Sequence, residues 1–327
     1  MTVPRIGVTL GDPGGVGPEV VLKALVRDGP PVPASYVLFG DPRVLAEEAR
    51  ALGLTPQIGP WRPGAARDPG LCLAEVPAPP GAGRGDRPGP EAANGAASFG
   101  SFEAALAAAR EGAIEAVVTA PVSKAAWGLA GVPWRGHTDY LEHLYPGAVM
   151  SFWSDRLRVA LLSHHIPLRE ALDRVRRQPL LAYFRALHRG AGGLAGGPRE
   201  FLVPGLNPHA GEGGLLGEEE EREIRPAVAA ARDEGIDVRG PFAPDTVFRM
   251  ALDRPETMVA ALYHDQGLIA FKLESFETGV NVTLGLPFVR TSPDHGTAFD
   301  IAGRGQADAR SMAEAVRLAV RLSASAS

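Results

Sequence analysis

Three histidines raise the first chemical question. His165, His209 and His264 each lie a few residues past an apolar run, in "RLRVALLSHHIPLRE", "EFLVPGLNPHAGEGG" and "TMVAALYHDQG". Short apolar runs of this kind read as buried strands. In open α/β sheets, ligands bind outside the carboxyl ends of the strands. Three neutral imidazoles meeting there supply three metal ligands and leave positions open, as a catalytic divalent site requires. Taken singly, each histidine is more simply a hydrogen-bonded loop residue, and their separations are far longer than those of a zinc finger. Their shared position past strand ends is what predicts a histidine-only metal site. His164 competes with His165 for one place, because adjacent side chains after a strand point to different sides. The pattern "HHIPLREAL" sets His165 nearer the following helix. Asp265 follows His264 and is placed to orient a ligand. His143 and His188 fall on predicted helices and read as surface or helix-end residues. All-imidazole ligation suits zinc, cobalt or nickel better than magnesium.

A second set of polar residues suits an anion. "GHTDYLE" puts His137 and Thr138 at a helix start, where backbone N–H groups favour negative charge. The plainer reading makes Thr138 an N-cap, with Glu142 one place beyond the capping-box position. "LIAFKLESF" sets Lys272 inside an apolar run, where burial demands a partner. "GVNVTLGLPFVRTSPDHGTAFDIAG" carries Asn281 and Arg290 in an otherwise apolar segment. Together these groups suit a phosphate or carboxylate substrate. The acidic run Glu218–Glu221 reads as a solvated helix start.

The opening stretch, "RIGVTLGDPGGVGPEVVLKAL", reads as strand, glycine turn and helix. It fails the Rossmann fingerprint, since counting from Gly15 the sixth position is Val20. It fails the P-loop pattern too, ending in Gly-Pro-Glu. Pro18 suits the first helical position and Glu19 the positive end of the helix dipole. A capped turn leaves four glycines and Asp12 unexplained; they mark a backbone that something approaches closely.

Strands and helices alternate along the chain. "SYVLFG" is followed by "DPRVLAEEARALG", with Asp41 as N-cap. Residues 56–93 are rich in Pro, Gly and Ala and predict an irregular or β-ribbon excursion. "SFEAALAAAREG" is a helix, "IEAVVTA" a buried strand running into "PVSK". "LGEEEEREIRPAVAAARDEG" and "DARSMAEAVRLAVRLSASA" are amphipathic or acid-started helices. The alternation predicts a largely parallel sheet covered by helices.

The 327 residues allow two lobes, and 45% hydrophobic content predicts a packed globule. A net charge of −5 argues against nucleic acid or an anionic membrane as partner. One cysteine, Cys72, excludes an internal disulfide and a cysteine zinc site. There is no signal-peptide pattern and no bilayer-length apolar run, so a cytoplasmic enzyme is expected.

The motifs "GDPGGVGPE", "VVTAPVSK", "GHTDYLE", "SHHIPLRE", "GLNPHAGEGG", "YHDQGLIAFK" and "NVTLGLPFVRTSPDHGTAFDIAG" run in order from Gly11 to Gly303. In them the chain resembles the 4-hydroxythreonine-4-phosphate dehydrogenase family of vitamin B6 biosynthesis. The resemblance implies an isocitrate/isopropylmalate dehydrogenase-like α/β/α fold, with two lobes, a cleft between them, and a homodimer whose active site both subunits share. "GDPGGVGPE" is similar to the "GDGIGPE" turn of those metal-dependent dehydrogenases. "SPDHGTAFDIAG" is similar to their "HGSAPDIAG" dinucleotide loop. The implied cofactor, NAD or NADP, therefore falls to Gly11, Asp12, Asp294, His295, Gly296 and Thr297. His165, His209 and His264 match the family's metal ligands, with zinc, cobalt or magnesium as the metal. His137, Thr138, Lys272, Asn281 and Arg290 match its substrate-binding residues. The chain departs in two places: Gly14 stands where alanine is usual, and His164 where threonine is usual.

The implied reaction oxidises 4-phosphooxy-L-threonine and decarboxylates the product to 3-amino-2-oxopropyl phosphate. Lys272 and Asp265 are both candidates for proton transfer, and sequence does not separate them. Two other readings stand beside this one: a sister dehydrogenase for 4-phospho-threonate, 4-phospho-erythronate or a dihydrodiol, and a non-catalytic metal- or phosphate-ligand-binding protein. The expected lobes are residues 1–124 with 289–327, and residues 125–288, the second carrying most of the metal and substrate residues.

Overall fold

In the computed structural model, residues 3–65, 67–85 and 89–324 are described. They form two compact α/β units. The first is the chain up to Leu144 together with the segment from Pro287; the second is Tyr145–Leu286. The first division falls twenty residues later than the expected 124 and gives His137 and Thr138 to the first unit.

The first unit begins with strands β1 (Arg5–Thr9), β2 (Ser35–Gly40), β3 (Ile58–Pro60), β4 (Gly70–Glu75) and β5 (Ala116–Thr119). Its helices are α1 (Gly17–Leu22), α2 (Pro42–Ala51), α3 (Ala92–Arg110), α4 (Lys124–Leu129) and α5 (His137–Leu144). The second unit contains β6 (Val149–Trp153), β7 (Arg158–Leu161), β8 (Glu200–Pro204), β9 (Val238–Phe242), β10 (Thr257–Ala261) and β11 (Val280–Leu284). Its helices are α6 (Leu168–Asp173), α7 (Arg177–Gly192), α8 (Arg225–Asp233), α9 (Val247–Ala251) and α10 (His264–Ser275). The chain then returns to the first unit with β12 (Val289–Pro293) and α11 (Arg310–Ser323). The last two residues of the expected closing helix lie outside the described residues.

In the first unit the strand order is β3-β4-β2-β1-β5-β12, and each pairing is parallel. β1, β2 and β5 are buried along their whole length, which is why their sequences read as unbroken apolar runs. The expected excursion over 56–93 contributes β3 and β4, which extend this sheet in parallel rather than forming a ribbon. Residues 66 and 86–88 of that stretch lie outside the described residues. Asp41 caps α2 as expected, accepting a hydrogen bond from the Arg43 N–H at 2.8 Å.

In the second unit the order is β11-β6-β7-β10-β8-β9. β6 runs antiparallel to both β11 and β7, so this sheet is mixed, not wholly parallel. β7, β10, β8 and β9 are parallel. The carboxyl ends of three neighbouring strands, β7, β10 and β8, therefore lead into the segments carrying His165, His264 and His209.

Helices α4 and α5 belong with the first unit because aromatic rings on them pack on α3. Phe99 meets Trp127 and Tyr140, with ring centroids 5.1 and 5.3 Å apart. Trp127 also donates its indole N–H to Ser98 Oγ at 2.9 Å. Gly95 lets α4 approach α3, since a Cβ there would overlap the Ala126 carbonyl.

Candidate active site

Two of the three metal-ligand candidates face each other. His264 is the first residue of α10, and His165 sits in the loop after β7 with φ 26°. Their ring centroids are 5.7 Å apart. His164 stacks edge-on against His165 at 5.1 Å. His264 Nδ1 lies 2.7 Å from Asp265 Oδ1, so with Nδ1–H donating, Nε2 carries the lone pair. Among the described residues, no three His, Cys, Asp or Glu are grouped closely enough to hold a metal. The donor chemistry of the facing pair suits a divalent ion.

His209 lies on an unusual backbone. Six successive residues, His209 to Gly214, have positive φ, from 46° to 99°. Glycine adopts this region easily, but His209, Ala210 and Glu212 do so only when surroundings hold them there. The holding group is Glu220, which is fully buried. One of its carboxyl oxygens accepts the N–H groups of Leu206 and Asn207, both at 2.8 Å. The other accepts Asn207 Nδ2 at 3.0 Å, and that amide also reaches Glu219 at 2.8 Å. The acidic run is thus not simply a solvated helix start. Its third residue folds inward and anchors the loop.

Gln266 does similar work between strands. Its amide donates to Gly205 O and its carbonyl accepts the Leu262 N–H, both at 2.8 Å. It so ties the end of β8 to the end of β10. Gly267 lets α10 lie on β7, since a Cβ would come within 2.7 Å of Val159.

The anion candidates in the first unit are held in a dry, aromatic setting. The His137 ring meets Phe102 edge-on at 4.4 Å and Trp127 at 5.5 Å. Its Nε2 is buried with no hydrogen-bond partner among the described residues. Burial, and then the positive charge of Arg290, hold its pKa well below 6.5. Thr138 follows it in α5 and is half-buried. Arg290, on β12, is 2% exposed. It donates from Nη2 to Thr119 Oγ1 at 2.6 Å. Burial brings its pKa down to about 9, still leaving it cationic at neutral pH. In the second unit, Lys272 is half-buried on α10 and Asn281 half-buried on β11.

The cofactor candidates are assembled within the first unit. Gly11 has φ +73°, and a Cβ there would lie 2.5 Å from Pro121 O. Gly15 abuts Thr297, where a Cβ would come within 2.8 Å. The Val16 N–H donates to Thr297 O at 2.9 Å. Glycines in the opening turn therefore admit neighbouring backbone, and they join that turn to the loop carrying Asp294, His295, Gly296 and Thr297. Asp294 N–H donates to Ser311 Oγ at 3.2 Å, His295 is exposed, and Gly296 faces open space. Asp12 is fully buried and accepts the Gly14 N–H at 2.9 Å. Burial raises its pKa to about 6 against the opposing pull of the Gly14 and Ser123 N–H groups.

Glu19 does more than complement a helix dipole. It forms a buried ion pair with Lys23 at 2.6 Å and accepts the Ala307 N–H at 2.9 Å. Lys23 also donates to Gly305 O and Ala307 O, at 2.9 and 2.7 Å. Sequence reasoning missed Glu220, Gln266 and Lys23. For Gln266 the signal was its place in "YHDQG"; for Lys23 it was the four-residue spacing from Glu19.

The chain's relatives bear on this arrangement. The family model of the pyridoxal phosphate biosynthetic protein PdxA matches residues 33–319. The 4-hydroxythreonine-4-phosphate dehydrogenase of Chromobacterium violaceum is 45% identical over 326 residues, covering 98% of this chain and 97% of that protein. Its counterpart in Beijerinckia indica subsp. indica is 42% identical, covering 97% and 94%. The crystal structure of the Klebsiella pneumoniae 4-hydroxythreonine-4-phosphate dehydrogenase superimposes with a TM-score of 0.87 at 39% identity, covering 98% of each chain.

Proposed function

From the premise that this chain belongs to the family of the pyridoxal phosphate biosynthetic protein PdxA, we infer that it is a dehydrogenase acting on 4-phosphooxy-L-threonine. The observation that carries this is the match along nearly the whole chain to dehydrogenases of that activity. The reaction oxidises the C3 hydroxyl with NAD or NADP. The resulting β-keto acid loses carbon dioxide, leaving 3-amino-2-oxopropyl phosphate.

Roles follow from the chemistry of each side chain. His137, Thr138 and Arg290 bind the phosphate, with the desolvated guanidinium supplying charge and His137 a ring nitrogen that lacks a protein partner. That grip orients the substrate from a point remote from the reacting carbon. Asn281 and Lys272 bind nearer the chemistry. His165, His209 and His264 hold the divalent metal, with zinc suiting the imidazole set; when bound, it supplies the charge that acidifies the substrate hydroxyl. The hydride acceptor is the nicotinamide, whose chemistry is its own. Gly11, Asp12 and the 294–297 loop bind the dinucleotide. Asp265 lies against His264 Nδ1, which supports a role in orienting that ring. Lys272 lies about 10 Å further along α10 and is left as the group that moves the proton.

The functional unit in this reading is a homodimer. Ile269, Leu273 and Phe276 stand 69%, 89% and 75% exposed at helical spacing along α10 and its cap. Such a stripe next to Lys272 suits burial against a second copy. A site completed by a partner subunit is also compatible with the lack of a three-ligand group among the described residues of one chain.

The test is NADH formation with 4-phosphooxy-L-threonine beside 4-phospho-threonate, before and after chelation and metal return. Reduction with the threonine substrate, lost on chelation and restored by zinc or cobalt, is expected. Activity with threonate alone would move the enzyme to another pathway. Silence with both in metal-replete protein would remove the assignment.

A further inference from the structure

The histidine loop after β8 is held by one buried acid from the stretch that follows it. Glu220 lies eleven positions after His209 and is fully buried. Its two oxygens accept hydrogen bonds from the Leu206 N–H, the Asn207 N–H and the Asn207 side-chain amide. Three glycines fit closely around this arrangement. A Cβ on Gly211 would lie 2.6 Å from Glu220 Oε2, and one on Gly205 would lie 3.1 Å from Glu220 Oε1. A Cβ on Gly217 would overlap the Asn207 amide. Between these fixed points the chain makes its left-handed turn, and His209 is the turn's first residue. That residue is 64% exposed at its side chain, and its ring lies 3.6 Å from the Glu212 carboxylate. Side-chain packing therefore does little to aim the imidazole, and the backbone beneath it does most.

We propose that Glu220, acting through Asn207, is the positioning residue for His209: it fixes the left-handed turn and so sets the direction in which that imidazole is presented to the metal. The proposal rests on the assignment of His209 as a metal ligand. An acid that only filled space could be replaced by its amide without effect on ligation. Here the amide offers one acceptor oxygen in place of two, and its NH2 must face either the two backbone donors or the Asn207 amide. The turn then loses a hold on one side, and the run of positive-φ residues relaxes.

The test is cobalt binding to the full-length protein, read by its visible d–d absorption and by titration, without substrate or dinucleotide. Glu220→Gln is expected to keep the far-ultraviolet circular dichroism spectrum, weaken cobalt binding roughly 10- to 100-fold and shift the absorption bands. Glu220→Asp, which keeps both oxygens on a shorter stem, should recover part of that affinity. NADH binding, read by fluorescence, should not change, because the dinucleotide residues lie in the other unit. If Glu220→Gln fails to fold, Asn207→Ala serves instead, since it leaves the backbone donors in place and should give a smaller loss in the same direction. A folded Glu220→Gln or Asn207→Ala protein with unaltered cobalt affinity and spectrum would overturn the proposal. His209→Ala separates the two levels. If that variant binds cobalt as the parent does, the ligand assignment fails; if it loses cobalt while Glu220→Gln keeps it, only the positioning role fails.

Discussion

Two buried ionisable residues in the first unit make opposite contributions to pH dependence. His137 is held neutral, its folded pKa lying below the 6.5 it has when unfolded. Below pH 6.5 the unfolded chain therefore binds a proton that the folded chain refuses, and stability falls as pH falls. We expect His137→Asn to lose less stability than the parent between pH 7 and pH 5, measured as urea midpoints. The same variant should raise KM for the phosphorylated substrate by about tenfold, the loss of one charge-assisted contact. Asp12 has the reverse sign. Its folded pKa is raised from 3.8 to about 6, so the stability it contributes is present below pH 3.8 and is lost as pH rises through about 6. Asp12→Asn keeps the acceptor for the Gly14 N–H and removes the buried charge. It should stabilise the protein by about 3 kcal/mol at pH 8, with little effect at pH 4. A variant less stable than the parent at pH 8 would show that the charge is compensated.

At the level of elements, the opening turn is a junction. Its glycines receive the loops after β5 and β12, and the Glu19–Lys23 pair fastens the stretch before α11 onto α1. Removing one member of a buried ion pair leaves the other uncompensated, a cost of roughly 3–5 kcal/mol. Lys23→Ala should show that loss in equilibrium urea unfolding. It should also loosen the 294–297 loop through the segment that follows it, raising the Kd for NADH. Full stability in Lys23→Ala would mean that water replaces the ammonium at the two carbonyls. In the second unit the parallel order β7-β10-β8 is the corresponding device, since it sets three histidine-bearing segments side by side.

For the molecule as a whole, the exposed stripe on α10 bears directly on assembly. Burying a large apolar side chain contributes about 1.5–3 kcal/mol, so three of them on each subunit are a substantial fraction of a dimer interface. Leu273→Glu should shift the protein to a monomer in analytical ultracentrifugation and lower turnover at least tenfold, with the monomer still folded. A fully active monomer would overturn both the dimer and the shared site. No helix among the described residues is long and apolar enough to cross a membrane.

The alternation of elements, the buried strands of the first unit and the placement of histidines past β7, β8 and β10 were all legible in the sequence. They depend on local periodicity and on chain order, which a sequence states directly. The mixed pairing of β6, the parallel fit of β3 and β4, and the place of α5 in the first unit were not. Strand partners and helix packing are contacts between residues far apart in the chain. The same holds for side chains whose type is common to several roles. Glu220 reads like its neighbours in an acidic run, and only the fold turns it inward to meet Asn207. Asp265 and Lys272 are equal candidates on paper, and the 2.7 Å contact to His264, which only the folded chain shows, is what supports proposing Asp265 as the orienting group. Residue type and order set which chemistry was available; the burial and pairing that settle a group's partners exist only once the chain has closed on itself.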